Sequence, residues 1–259
     1  MKHCLCLGLN HGVFLLVLGS GMFGLDGQTL VGNQVRKDAL GLAIPHGLHS
    51  ELLALGGGVR EKGKERVSLT GQWTEKGATR SVLVIMELDG KCSIRDGGKA
   101  VAHDGVNSNS SAGNLSDDEE DLLEIFSEDS AEGVFFNTGG QLRIVGTGVN
   151  PTGKTPYQGI LYNVLEVSTN AFVKNSKIAR KKHFYFNSRT GDLEIVRYFT
   201  SKGNRNIMVE TRRENWKQVN GRNIPGLITR LEDGQVRFSF LISSAVVNAA
   251  VADGAFSGR

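Results

Sequence analysis

Cysteine and proline are scarce. The 259-residue chain has three cysteines and four prolines. Cys4 and Cys6 fall within an apolar start, too early for the cleavage cysteine of a lipoprotein, which leaves Cys92 alone downstream. One cysteine closes no internal disulfide, so a disulfide scaffold is excluded. In Lys91-Cys92-Ser93-Ile94-Arg95 it alternates with charged neighbours and reads as a small buried hydrophobe rather than a nucleophile. Few prolines and no Gly-X-Y period exclude collagen. The signatures of catalysis are also missing: there is no G-x-S-x-G elbow and no H-E-x-x-H. The six histidines (His3, His11, His46, His49, His103, His183) never pair with cysteine or acids at ligand spacing. His46 and His49 are three apart, on one helical face, and read as structural rather than as a zinc site. The expectation is a non-enzyme with no catalytic residue, no metal and no cofactor. An apolar share of 39% and a charged share of 22% exclude a wholly disordered chain. The length is ample to bury a core without a staple.

Glycine, by contrast, is plentiful: 34 residues, about 13% against a usual share of roughly 7%. Six lie before position 28, in or just after a segment that opens Met1-Lys2-His3 and carries no charge from Cys4 to Leu25. A basic start, an apolar centre at Val13 to Leu18 and a small-residue exit at Gly19-x-Gly21 describe a secretory signal. The reading is a signal peptide over 1–28, with residues 4–25 as an uncleaved membrane anchor the alternative. Residues 29–259 are then one domain.

Charge is segregated along the chain. Residues 117–132 hold nine acids and no base, while 174–217 hold twelve lysines and arginines against four acids. The net charge of +3 hides this division. A basic strip suits nucleic acid or an anionic membrane surface, but no nucleic-acid motif accompanies it, and solvated strand faces are the simpler reading. No nucleic-acid partner is expected. The acidic run follows a polar stretch, Gly105 to Asn114, within a linker read over 105–116. Ser116-Asp117-Asp118-Glu119 then spells a capping box. Leu115, Leu122, Leu123, Ile125 and Phe126 follow helical spacing. The expectation is an acidic helical insert over 117–136 whose acids form a solvated outer face. Calcium binding is the alternative, but the glycine-bearing loop of an EF-hand is missing.

The remainder alternates with period two and is cut by turn residues. Val67, Leu69, Gly71 and Trp73 share one phase, and Ser81 to Leu88, Lys91 to Arg95, Gln141 to Val149 and Gln158 to Val167 are further extended runs. Asn220-Gly221 and Asp233-Gly234 are tight hairpin signals. Phe238, Phe240 and Ile242 fall on one face of the last strand. Asp38 to Leu55 reads as helical in its second half, stopped by Gly56-Gly57-Gly58. The fold class is α+β: a curved antiparallel half-barrel sheet of roughly eight to eleven strands with a few covering helices.

One motif points elsewhere. Gly148-Val149-Asn150-Pro151-Thr152-Gly153-Lys154-Thr155 fits Gly-x-x-x-x-Gly-Lys-Ser/Thr. In a phosphate loop the backbone amides cradle phosphates, Lys154 reaches them and Thr155 ligates magnesium, with Gly148 and Gly153 shaping the turn. Such a loop must open a helix near the lysine. Here Pro156 and Gly159 intervene and Ile160 to Val167 is β-rich, so a hairpin loop is the preferred reading and nucleotide binding the less favoured alternative.

Three further stretches carry a resemblance: Tyr185-Phe186-Asn187-x-x-Thr190-Gly191, Trp216-x-x-Val219-Asn220-Gly221-x-x-Ile224-Pro225, and Val247-Asn248-x-x-Val251-x-Asp253-x-x-Phe256. With Leu53-Ala54-Leu55-Gly56-Gly57 ending a helix before them, the chain resembles the periplasmic lipoprotein-carrier and outer-membrane lipoprotein-sorting superfamily, the LolA/LolB type, in its uncharacterised bacterial branch. The resemblance implies a periplasmic protein with an apolar cavity between a half-barrel and its covering helices. Its partner would be a lipid or lipoprotein acyl chain, in lipoprotein sorting or envelope maintenance. Candidate lining residues are Trp73, Val84, Met86, Phe184, Phe186, Tyr198, Met208, Trp216 and Phe238; ordinary core packing is the simpler reading of each. The acidic helix and the phosphate-loop-like hairpin depart from the carriers. The alternative is a structural or interaction domain of the same fold with a filled core.

Overall fold

A computed structural model of the chain describes residues 35–37, 43–45, 66–87, 90–105, 107–131, 134, 141–151, 159–173, 176–202, 204–250 and 254–256. The signal segment over 1–28 and the second half of the helix read over 38–55 lie outside the described residues. Strands β1 (Val35–Lys37) and β2 (Ala43–Pro45) pair with each other alone. Then come β3 (Arg66–Glu75), β4 (Ala78–Glu87), β5 (Cys92–Asp96), β6 (Lys99–His103) and β7 (Ser108–Ser110). A helix, α1 (Asp117–Phe126), separates them from β8 (Gln141–Val149), β9 (Tyr162–Val173), β10 (Ser176–Asn187), β11 (Leu193–Lys202) and β12 (Arg205–Glu214). A short hairpin, β13 (Lys217–Val219) and β14 (Arg222–Ile224), precedes β15 (Leu227–Glu232) and β16 (Gln235–Val247).

Twelve of these strands form one antiparallel, open and curved sheet in the order β7-β6-β5-β4-β3-β16-β15-β12-β11-β10-β9-β8. Consecutive strands pair as hairpins on each side. The two sides meet where β3 lies against β16, the ladder running from Val67↔Val247 to Phe238↔Glu75. The count is one above the expected range, and the surplus lies at the β7 edge. There Ser108–Ser110, inside the polar stretch read as a linker, adds a strand to β6, and the Ser111 hydroxyl accepts from the Ala100 amide at 2.9 Å. A short polar strand is what an exposed sheet edge tolerates.

Turn chemistry follows the sequence. Asn220-Gly221 and Asp233-Gly234 both adopt positive φ, at 48° and 78° and at 47° and 79°, the mirror-image turn that matches strand twist. The same turn joins β3 to β4 at Lys76-Gly77 (49° and 81°), where lysine gives no such signal.

The alternating residues of β3 and β16 meet on the inner face. Val67, Leu69, Trp73, Phe238, Phe240 and Ile242 form one buried cluster with Val82, Val84, Ile94 and Val101 of the neighbouring hairpins. Leu122, Leu123, Ile125 and Phe126 of α1 close it from above. The Trp73 and Phe238 rings stand 4.0 Å apart, and Phe126 meets Phe240 edge-on at 6.1 Å. Cys92 is fully buried there and its thiol donates to Leu123 O at 3.6 Å. Burial pushes that thiol up to about 12, so it is an inert core residue.

Candidate functional site

The inner face has a second apolar floor, on β9 to β12. Leu165, Val167, Phe184, Phe186, Val196, Tyr198, Ile207 and Val209 are buried there, and among the described residues Ala131 and Val134 are the apolar residues that meet them from off the sheet. No residue of α1 belongs to this cluster. Instead, charged groups fasten α1 across it.

Lys182, only 3% exposed at its side chain, sits among three acids. Its Nζ donates to Glu124 Oε1 and to Asp129 Oδ1, both at 2.6 Å, and to Glu128 Oε2 at 3.3 Å. Arg180 Nη1 donates to the same Glu124 oxygen at 2.6 Å, and the Tyr198 hydroxyl donates to Glu124 Oε2 at 2.9 Å. The Arg180 guanidinium lies 4.0 Å over the Tyr198 ring. Arg213 Nη2 donates to the carbonyls of Ile125 and Asp129, at 3.3 and 2.7 Å, and so caps the end of the helix. Nearer its start, Asp121 meets Arg230 at 2.9 Å, Asp118 accepts from Arg237 at 2.5 Å, and Glu119 pairs with Lys99.

These contacts set opposite shifts within one cluster. Burial works to raise the Glu124 carboxyl, but Lys182 and Arg180 overcome it and hold it down at about 2. For Asp129 burial dominates over the attraction of Lys182, and the carboxyl is raised. Burial raises Asp121 as well. Tyr198 is raised by burial and by the carboxylates of Glu124 and Asp129.

The acidic face is therefore not a solvated one. Asp118, Glu119, Asp121 and Glu124 turn toward the sheet, and among the described residues Glu120 and Glu128 are the exposed acids of the run. The basic strip is likewise not simply solvated, because Arg180, Lys182 and Arg213 supply the partners. Each strand cation alone under the helix is costly to desolvate, and pairing with the acids offsets that cost. The capping box forms as its spacing predicts: the Glu119 amide donates to Ser116 Oγ at 3.4 Å, and the Ser116 amide donates to Glu119 Oε2 at 2.9 Å.

Of the residues singled out from sequence, Trp73, Val84 and Phe238 lie in the α1-covered cluster with Met86 packed against it. Phe184, Phe186 and Tyr198 lie in the second floor. Met208 is opposite Phe199, and both point to the outer face, since their neighbours Val209 and Tyr198 point inward. Phe199 there is 66% exposed. Trp216 follows β12, half-buried, with Nε1 donating to Arg213 O at 3.2 Å, and belongs to neither floor. Gly148, the last residue but one of β8, adopts a positive φ of 63°; Gly153, Lys154 and Thr155 lie outside the described residues. By residue 162 the chain is in β9, antiparallel to β8.

The residues missed are the inward polar and charged ones: Lys182, Thr211, Arg213 and Arg230. Alternation carried the signal, because Arg230 is in phase with buried Ile228, and Thr211 with buried Val209. A cavity of about 230 Å³ opens beside the start of α1, between Arg80, Lys99, Ser116 and Glu119; its rim is charged rather than apolar. Among the described residues no cluster of three or more histidines, cysteines or acids is arranged to hold a metal ion, and no helix is long and apolar enough to cross a membrane.

No protein-family model matches the chain, and no curated protein does. Solved structures do. A LolA superfamily protein from Nitrosomonas europaea aligns with 80% of this chain and 96% of its own, at 14% identity and a TM-score of 0.50. A putative outer membrane lipoprotein-sorting protein domain from Vibrio parahaemolyticus aligns with 81% and 94%, at 14% identity and 0.52. A DUF1329 family protein from Desulfovibrio piger aligns with 80% and 95%, at 12% identity and 0.53. The open, curved, mostly antiparallel sheet thus matches the LolA-like fold.

Proposed function

We propose that this is an exported, non-enzymatic protein that binds a lipid or lipoprotein acyl chain on the inner face of its sheet, beneath α1. One observation carries the reading. The floor of Leu165, Phe184, Val196 and Tyr198 is apolar, yet α1 reaches it only through charged and polar side chains, its own apolar residues packing on the β3–β6 half of the face. Uncovering this floor therefore means parting ion pairs, which re-form with water and with other partners, whereas parting apolar contacts here would cost the full burial energy, about 25 cal/mol per Å². A chain entering that floor would gain by the same term. The structures sharing the fold include one described as lipoprotein-sorting, which agrees with this substrate class. Export rests on the apolar start of the chain, and a periplasmic location on the shared fold.

The protein, secreted from a bacterial host with its own leader, is to be purified from the periplasm and its bound lipid analysed by native mass spectrometry. A fluorescent fatty-acid probe then reports binding to the emptied protein. Co-purified lipid and saturable probe binding are the expected results; absence of both ends the proposal. A second reading has its own support. Leu122, Leu123, Ile125 and Phe126 pack directly into the β3–β6 half of the face, as in an interaction domain with a filled core. That reading gains if neither lipid nor probe binds.

A further inference from the structure

One line across the inner face differs from its surroundings. From the β8 edge, Ile144 pairs with Leu165, Leu165 with Phe184, Phe184 with Val196, Val196 with Thr211, Thr211 with Arg230 and Arg230 with Phe238. Cross-strand partners share a face, so these side chains form a single transverse row. Only Thr211 and Arg230 interrupt its apolar character.

Both are fully buried. Among the described residues neither Thr211 Oγ1 nor any guanidinium nitrogen of Arg230 makes a hydrogen bond. The Arg230 guanidinium lies 5.9 Å from the centre of the Tyr198 ring, and its remaining contacts are ionic: Nη2 lies 2.9 Å from Asp121 Oδ2, and Nε 3.9 Å from Glu232 Oε1. A guanidinium carries five N–H donors in a fork shaped for two oxygens, and burying it with those donors unmet is unfavourable. The Asp121 carboxylate marks where an anion reaches it from the helix side. Asp121 and Glu232 each also have Lys202, at 4.0 and 2.6 Å, so neither depends on Arg230 alone.

We propose that Arg230 and Thr211 receive the anionic head of a single-chain amphiphile, whose chain lies along Val196, Phe184, Leu165 and Ile144. Asp121 occupies the guanidinium while no ligand is bound. The row from Arg230 to Ile144 crosses the gaps between β15, β12, β11, β10, β9 and β8, about 24 Å at roughly 4.8 Å each, a length suited to one extended chain. The head chemistry is a carboxylate or a phosphate, from a fatty acid or a lysophospholipid. This rests on the acyl-chain reading above and narrows it to anionic ligands.

The test uses the full secreted protein and displacement of a neutral fluorescent acyl probe. The competitors are oleate, oleoyl lysophosphatidic acid and oleyl alcohol, which share one hydrocarbon chain. At least one anion is expected to compete about tenfold or more better than the alcohol, the scale of a charged hydrogen bond; whichever anion is stronger identifies the head. Arg230→Gln should remove that preference. Asp121→Asn, a change at a partly exposed helix position, should raise the affinity for the preferred anion several-fold, and it tests the idea even if Arg230→Gln fails to fold. Equal competition by all three ligands overturns the head site and leaves acyl binding standing. An anion preference that survives Arg230→Gln, or is not strengthened by Asp121→Asn, overturns the head site as well. Competition by none of them removes both.

Discussion

Lys182 is the residue on which the attachment of α1 turns. Its ammonium is nearly inaccessible and is shared by Glu124 and Asp129, so its loss strands two carboxylates in a poorly hydrated place. Lys182→Ala is expected to destabilise the protein by about 3–5 kcal/mol, read as a lowered midpoint in thermal or urea unfolding. Glu124 carries the pH dependence. Its folded-state value is depressed to about 2 from an ordinary 4.5, so its stabilising contribution is complete above about pH 4.5. That contribution is lost as the pH falls toward 2. Burial, the main influence on Asp129, shifts its carboxyl the other way; its penalty grows as the pH rises through the range above 3.8. Glu124→Gln should therefore flatten the acid limb of the stability profile between pH 4.5 and 2. A limb as steep as that of the unaltered protein would show that another carboxylate carries it.

At the scale of elements, β3 and β16 form the seam of the sheet, and their fit depends on one residue without a side chain. The pairing shifts register between Ile242 and Ser244, and the bulged strand is drawn tightly over Gly71. A Cβ on Gly71 would run into the Leu241 carbonyl oxygen and come within 2.8 Å of Phe240 Cε2. Gly71→Ala is expected to cost about 1–3 kcal/mol by overpacking, measured by chemical denaturation with an unchanged m-value. In sequence, Gly71 sits in the inward phase beside Leu69 and Trp73, which is legible as a close approach or a bulge but does not say which strand approaches. Helix α1 was readable in its cap and apolar residues. Its acids were not, because a charged residue on a lone helix has no reason to be buried until a base arrives from elsewhere. Apart from Lys99 of β6, which pairs with Glu119, the partners come from β10, β15 and β16, far along the chain.

At the scale of the molecule, the hairpin pattern and the antiparallel class were legible from alternation and turn residues, because those are local signals. The strand edges were less so: β9 and β10 run to Val173 and from Ser176, a stretch whose polar and basic residues mask the period. Likewise Phe184 and Phe186 were identifiable as inward and aromatic, whereas Met208 was an apolar residue on the wrong phase of β12. Phase follows from register, and register at β12 is fixed by its neighbours rather than by its own sequence.

The seam between β3 and β16 also governs time. Each half of the sheet can zip from local hairpins, but the first long strand stays without its central neighbour until the last one has arrived. The loop that must close between Val67 and Val247 spans most of the chain, and such distant pairings slow folding. A chain that leaves the cytoplasm in an unfolded state gains from that delay. On the export route proposed above, the sheet would be completed only after β16 had followed the rest across the membrane, and the topology itself would keep the chain threadable until then.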